Sequence, residues 1–314
     1  ETRHVMTGVF VRDAIHDLPS SARDPKGYAV RYYVQYPALG IIIWPPFFYA
    51  VEGLAMSVFG TSYLTARLVI CVFALVGAIY AYRLTLRTHG PAAAALALCV
   101  LGFAPLVFDF CGYVLLEVPT LALVLASIFH FERYLSDLRP RDALLACLLA
   151  ALAALTRFDG VVLLPYVLLR LGFARKFGLL IRRPVVLGVL GALVLTVPYY
   201  WLTWRLYGGG IRHSVTTGTG PQSTDLLAWR NFLMYPSFIP EQIGWAATVA
   251  AIIGACAALI SDRRRAAPLF AILAATYITF VPLAEPESRH AIYWVPALAV
   301  FAAVGVQIVW HRWG

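Results

Sequence analysis

The sequence predicts an all-α fold, a polytopic transmembrane helical bundle with an extracytoplasmic loop that carries interfacial helices. Three observations predict it. Of 314 residues, 61% are hydrophobic and 13% charged. Soluble domains carry about 25% charged residues, so too little polar surface remains here to cover a water-soluble fold. Apolar runs recur at residues 64–82, 91–108, 112–131, 143–155, 161–171, 184–204, 243–260, 266–283 and 291–310, about nine candidate membrane helices. The cations between these runs alternate in abundance, as the positive-inside rule requires of a membrane-threaded chain.

Residues 1–61 form the long opening segment, charged, aromatic and punctuated by proline. This segment is read as the first extracytoplasmic, catalytic loop, and residues 62–314 as the membrane domain. Residues 41–60 are apolar enough to be considered a tenth span, but Pro45-Pro46 breaks a helix interior and Glu52 interrupts the apolar face. An interfacial helix leading into the 64–82 run fits better. A span needs about 20 residues at 1.5 Å each, so 143–155 and 161–171 are short. They either thin the membrane locally or form a re-entrant pair. Residues 205–242, with Gly208-Gly209-Gly210 and TTGTGPQST, are expected to be a flexible outer loop, a lid or an acceptor-contacting segment. The chain starts with Glu1, and a first span is expected to precede it.

One set of connections holds Arg83 and Arg87; Arg133, Arg139 and Arg141; Arg170, Arg175, Lys176, Arg182 and Arg183; Arg263, Arg264 and Arg265; and Arg312. The alternate short connections hold only Arg157 and Arg289. The first set is therefore assigned to the cytoplasm. The acids divide the other way. Glu132, Asp137, Asp142 and Asp262 go with the cytoplasmic set, and the other twelve of the sixteen lie on or near the outer face. Acids weigh little in topology, so their outward bias points to chemistry on that face. The scarcity of lysine and the Arg-, Ala- and Leu-rich usage point to a prokaryote, and hence to its plasma (inner) membrane, while the arginine and acid distributions are what face the active site outside.

The formal charge of +9 reports topology and lipid headgroups. No nucleic-acid module signature accompanies it. Cys71, Cys99, Cys111, Cys147 and Cys256 are odd in number and irregular in spacing, which suits small buried hydrophobes better than a disulfide or zinc framework. There is no P-loop, Rossmann fingerprint, HExxH or G-x-S-x-G elbow, so any donor must arrive already activated. His4, His16 and His213 lack metal-ligand spacing, and no metal or other cofactor is expected.

Glu117, in CGYVLLEVPT, is the sharpest chemical signal. An acid costs about 2.5–3.5 kcal/mol at mid-helix and less near the interface. It must face protein, water or a cation, unless it simply complements a helix start. Asp109 lies eight residues earlier at the outer mouth and also reads as a cap or loop acid. Arg157 in LTRFDG can bind an anionic headgroup or a substrate phosphate, pair with Asp159, or snorkel; Asp159 itself reads as a helix cap. Glu285, Glu287, Arg289 and His290 cluster in AEPESRHAIYW. There Arg289 and His290 are candidates for phosphate, or else anchors beside Tyr293 and Trp294.

Taken together these residues resemble the GT-C superfamily of polytopic membrane glycosyltransferases. More narrowly they are similar to the protein O-mannosyltransferase and aminoarabinose-transferase group, glycosyltransferase family 39 and relatives. The resemblance runs through ETRHVMTGVFVRDAI, with Glu1 at the second acid of an expected pair. It continues through YPALGIIIWPPFFYAVEGLAMSVFGTSYLTARL with Arg67, then Glu117, LTRFDG and ESRHAIYWVPAL. Arg157 stands where relatives have Lys, and Asp159 has no clear counterpart. The resemblance implies transfer of a hexosyl or pentosyl group from a polyprenyl-phosphate sugar to a protein, lipid or glycan hydroxyl on the extracytoplasmic face, with inversion. It implies catalytic roles for Glu1, Glu117 and Asp109, with Glu1 as the base. Arg67, Arg157, Arg289 and His290 are implied at the donor phosphate, and membrane lipids as partners. The alternative is a transporter or flippase of a lipid-linked or anionic solute, which internal repeats and midplane polar sites would favour. A non-catalytic assembly subunit is a third reading.

Overall fold

The computed structural model describes residues 1–37, 39–40, 43–216, 229–261, 263–283 and 286–313. Glu285 and the glycine- and threonine-rich stretch 217–224 lie outside the described residues. The fold is all-α, and no strand occurs among the described residues.

The opening segment folds as α1 (Thr2–His16), α2 (Ser20–Arg23) and α3 (Pro25–Gln35). Asp24 caps α3 by accepting from the Gly27 N–H at 2.9 Å, with Pro25 at the first helical position, where its missing N–H costs nothing. The Tyr28 and Tyr32 hydroxyls donate to Asp17 and Asp13, each at 2.7 Å, and tie α3 back to α1. Next, α4 (Phe47–Phe59) is too short to cross a bilayer by itself. It packs along α1, and its Phe48, Tyr49 and Met56 form a core with Val5, with Val69 and Ile70 of the following helix, and with Val114, Leu116 and Val118. The opening segment therefore docks on the end of the bundle where residue 117 stands.

Helix α5 (Tyr63–Gly102) starts at Ser62, whose hydroxyl accepts from the Thr65 N–H. Forty straight helical residues would extend about 60 Å, twice the hydrocarbon thickness. Gly90, at φ 84° and ψ 176°, breaks the helix ahead of Pro91. Only glycine adopts that backbone without strain. The expected run at 91–108 is thus a 12-residue half of α5 followed by the short α6 (Pro105–Cys111), not one straight span.

Helix α7 (Glu117–Asp137) is the axis of the bundle. Its most apolar stretch is 78% buried, against 6% for the corresponding stretch of α10 (Arg183–Thr216) at the periphery. Between them, α8 (Pro140–Ala154) and α9 (Leu163–Ala174) are both short, joined by a 3-10 turn at Phe158–Val162. After α10 come α11 (Trp229–Ser237) and α12 (Ile239–Ile243). Gly244, at φ 82°, then bends the chain by 117° into α13 (Trp245–Ser261). The chain closes with α14 (Arg263–Phe280), a 3-10 turn at Ser288–Trp294 and α15 (Val295–Trp313). Helices α13 and α15 cross at Gly254 and Gly305. A methyl group on Gly254 would lie 1.9 Å from the Phe301 carbonyl oxygen, and one on Gly305 2.0 Å from that of Ala250. Such small-residue crossings let membrane helices approach closely.

Three expectations change. Each of the nine apolar runs contains helix. Yet four described helices, or five with the bent pair, are long and apolar enough to cross a membrane, because Gly90, the 158–162 turn and Gly244 divide other runs and three arginines open the 18-residue α14. The segment expected to be loop from residue 205 begins as helix instead, with α10 running through Gly208-Gly209-Gly210 to Thr216. Arg205 stacking over Trp201 at 5.3 Å supports that extension. Cys71, Cys99 and Cys256 are exposed on the helix surfaces, not buried; a thiol is apolar enough to face lipid.

Candidate active site

The site assembles at the end of the bundle where α7 and α15 begin. After α6, residues 112–116 run non-helically, so Glu117 becomes the first residue of α7, not a mid-helix acid. Pro119 follows in the first turn, where its missing N–H breaks no bond. Glu117 is 2% exposed. Its Oε1 meets the Arg157 guanidinium, and Arg289 Nη1 lies 3.8 Å from the same oxygen. Arg157, also buried, is held on its other side by Asp159, whose Oδ2 is 2.7 Å from Nε. The Tyr293 hydroxyl lies 3.5 Å from the same Asp159 oxygen. Burial works against the charge on Arg157, but Asp159 and Glu117 outweigh it and push its pKa up. Asp159 is therefore a partner of Arg157, not the helix cap expected for it.

Arg289 differs from Arg157 in being 41% exposed, and it pairs with Glu287 at the rim. Three acids, Glu117, Asp159 and Glu287, surround two arginines, so the cluster is electrostatically satisfied before any ligand arrives. A buried ion pair survives only with such compensation.

Beside this cluster Glu1 accepts from Arg67 Nε at 3.1 Å and Nη2 at 3.0 Å, and from the Val114 N–H at 3.4 Å. The stretch 112–117 thus links the two centres, meeting Glu1 through Val114 and Arg157 through Glu117. His4 lies one helical turn beyond Glu1 on α1. Its Nδ1 is 2.6 Å from the Tyr49 hydroxyl, and its ring lies 5.8 Å from Trp44. Burial lowers its pKa to about 4 despite the nearby Glu117 carboxylate, so the ring is neutral at pH 7 and can either donate or accept.

The structure thus joins Glu117, Arg157 and Arg289 directly, and places Glu1 with Arg67 alongside. It does not bring in Asp109. That side chain is exposed on α6 and makes no hydrogen bond or ion pair among the described residues. His290 stacks on Phe280 with centroids 5.7 Å apart, and its Nδ1 has no hydrogen-bond partner among the described residues. It faces protein, not the rim expected for a phosphate ligand. In the sequence His4 reads only as an outer-loop residue and Tyr293 as an interfacial anchor, and Tyr49 carries no signal. The available signal was spacing, since Glu1 and His4 lie three apart, on one helical face. Among the described residues no group of three or more His, Cys, Asp or Glu is placed to hold a metal ion.

The sequence profile of the dolichyl-phosphate-mannose-protein mannosyltransferases matches residues 44–204. In fold, the chain is similar to ArnT from Cupriavidus metallidurans in the apo state, with TM-score 0.72 and 18% identity over 99% of this chain and 56% of that one. The same protein bound to undecaprenyl phosphate gives 0.68 and 20% identity over 86% and 51%. An oligosaccharyltransferase from Archaeoglobus fulgidus tethered with an acceptor peptide gives 0.53 and 13% identity over 86% and 42%. The chain spans about half the length of the ArnT structures. No curated protein sequence matches it.

Proposed function

The chain belongs to the dolichyl-phosphate-mannose-protein mannosyltransferase family, within the GT-C glycosyltransferases, and from that membership we propose that it transfers a hexosyl or pentosyl group from a polyprenyl-phosphate sugar to a hydroxyl of a protein, lipid or glycan on the extracytoplasmic face. The observation that carries the reading is the buried Glu117 carboxylate bridging a buried Arg157 and a half-exposed Arg289. ArnT, whose fold this chain shares, holds undecaprenyl phosphate, which supports a lipid-phosphate donor.

In this reading the acceptor oxygen attacks the anomeric carbon from the face opposite the phosphate. The bond from that carbon to the phosphate oxygen breaks, the polyprenyl phosphate departs with the electron pair, and the configuration inverts. Glu1 takes the acceptor proton. Arg289 exchanges its Glu287 partner for the departing phosphate and stabilises the charge that develops there, with Arg67 as the second exposed guanidinium. Arg157 has acids on both sides, so it positions Glu117 and leaves the phosphate to others. The arginines take the charge-neutralising role, and no metal is required.

The test is turnover of purified full-length protein on a panel of polyprenyl-phosphate sugars, with the product anomer identified by NMR. Arg289→Ala is expected to lower kcat/KM by about 10²–10³ and Glu1→Gln by about 10²–10⁴, both with thermal unfolding unchanged. Glu287→Gln is expected to lower KM by freeing Arg289. EDTA is expected to leave the rate unchanged. Normal turnover in both the Arg289 and Glu1 variants would sink the site assignment, and a rate lost to EDTA and restored by Mg²⁺ or Mn²⁺ would overturn the metal-free mechanism.

A further inference from the structure

A cavity of about 1030 Å³ opens among α5, α7, α9, α14 and α15 and has no part in the chemistry above. Its size is at the top of the range for small-molecule pockets, about 300–1,000 Å³. Much of its wall is hydrocarbon, including Leu101, Leu125 and Ile272, and one end reaches Tyr293 beneath the Glu117 cluster. The other end is lined by Arg87, Arg175, Lys176, Arg264 and Arg265. Glu132 is the only acid among the described lining residues, and it is already neutralised. Arg170 donates to it at 2.6 and 2.7 Å, and the Tyr166 hydroxyl at 2.7 Å. Glu132 is fifteen residues along α7 from Glu117, about 22 Å at 1.5 Å per residue, so this cationic rim is remote from the reacting centre.

Arginines at one end of a membrane bundle need no ligand, because topology alone explains them. Two features go further here. The cations from α5, α9 and α14 surround the mouth of one apolar cavity, where low-dielectric walls focus their field. Arg264 also occupies the first turn of α14, where the helix dipole already supplies positive charge and a cation is disfavoured. An anion at that mouth relieves both.

We propose that this cavity is a binding site for an anionic membrane phospholipid, its phosphate held by the cationic rim and one acyl chain within the cavity. Guanidinium forks match phosphate oxygens, and basic pockets between membrane helices bind lipid headgroups. The site is separate from the donor-phosphate position at Arg289.

Native mass spectrometry of the full-length protein, extracted from bilayers of equal phosphatidylglycerol and phosphatidylcholine, tests this. The expected result is one retained phosphatidylglycerol per chain, with phosphatidylcholine absent and inorganic phosphate unable to displace the lipid. Retention is expected to weaken roughly a hundredfold in the combined variant Arg87→Gln, Arg175→Gln and Arg264→Gln, from about a factor of five per cation. It is expected to persist in Arg289→Ala. The wild-type comparison of the two lipids decides the matter even where the combined variant fails to fold. Equal retention of both lipids, or of neither, overturns the proposal. Displacement by inorganic phosphate makes the rim a free-anion site. Loss of lipid in Arg289→Ala makes the cavity the tail channel of the sugar donor.

Discussion

Glu52 sits on α4 with no exposed surface, and neither carboxyl oxygen has a hydrogen-bond partner among the described residues. Burial raises its pKa to about 9 from the usual 4.5, so it is a neutral acid at pH 7. A methyl group on Gly8 of α1 would lie 2.2 Å from Glu52 Oε2, so the carboxyl is pressed against α1. Between pH 4.5 and 9 the folded protein keeps a proton that the unfolded chain has released. Stability therefore falls as pH rises across that window, by up to about 1.4 kcal/mol per pH unit. Glu52→Gln is expected to remove this slope in thermal-unfolding curves recorded from pH 5 to 9; an unchanged slope would mean the carboxyl finds a partner or water. At this scale the sequence was half legible. Glu117, Arg157 and Arg289 stand out because charge at the edge of an apolar run is costly. Which acid meets which base depends on helix rotation and on the 158–162 turn, so Asp159 reads as a cap and Asp109 as a site residue until the elements are placed. Glu52 stands out in the sequence only as an argument against a span over residues 41–60, yet its burial makes it a neutral acid.

At the scale of elements, periodicity and punctuation locate most helices. Pro25, Ser62, Pro105 and Pro140 each stand at a helix start, as cap and N-terminal proline preferences dictate. Glycine is less readable because one residue serves opposite ends. Gly90 and Gly244 break helices through positive φ, whereas Gly208-Gly209-Gly210 stays helical. Gly254 does neither and marks a crossing, a role that depends on a partner fifty residues away. Gly254→Val is therefore expected to force α13 from α15 and to destabilise the bundle by about 1–3 kcal/mol or more, read as a lower unfolding temperature in detergent. Gly191, on the peripheral α10 with open space at its Cβ position, is the control: Gly191→Val is expected to change it little. Equal effects at both positions would show that helix propensity, not packing, is being measured.

For the whole molecule, composition alone is decisive about the class. A chain this apolar is an integral membrane protein, and the family match agrees. Orientation rests on the distribution of arginine. The rim of Arg87, Arg175, Lys176, Arg264 and Arg265 lies at one end, and the Glu117 cluster with α1 and α4 at the other. The positive-inside rule then predicts an outward-facing cluster, the orientation taken in the proposed function. Ser20→Cys on α2 is expected to react with a membrane-impermeant maleimide in intact cells. Arg139→Cys, just before α8, is expected to react only after permeabilisation, each in a background free of the native cysteines. The reverse pattern would turn the molecule over and move the reaction to the cytoplasm.

The layered ion pairing also bears on how such a protein can diversify. Glu117, Arg157 and Asp159 are interlocked, and a lone change among them strands a buried charge at a cost of about 3–5 kcal/mol. Glu287 has solvent on one side and takes no part in the proposed transfer itself, so it can vary without stranding a buried charge. Under that proposal Glu1 and Arg289 are fixed by chemistry as firmly as the buried layer is fixed by charge. A mutant library meant to change what the protein accepts belongs at Glu287 and the exposed surface around it, and the buried layer beneath is better left as it stands.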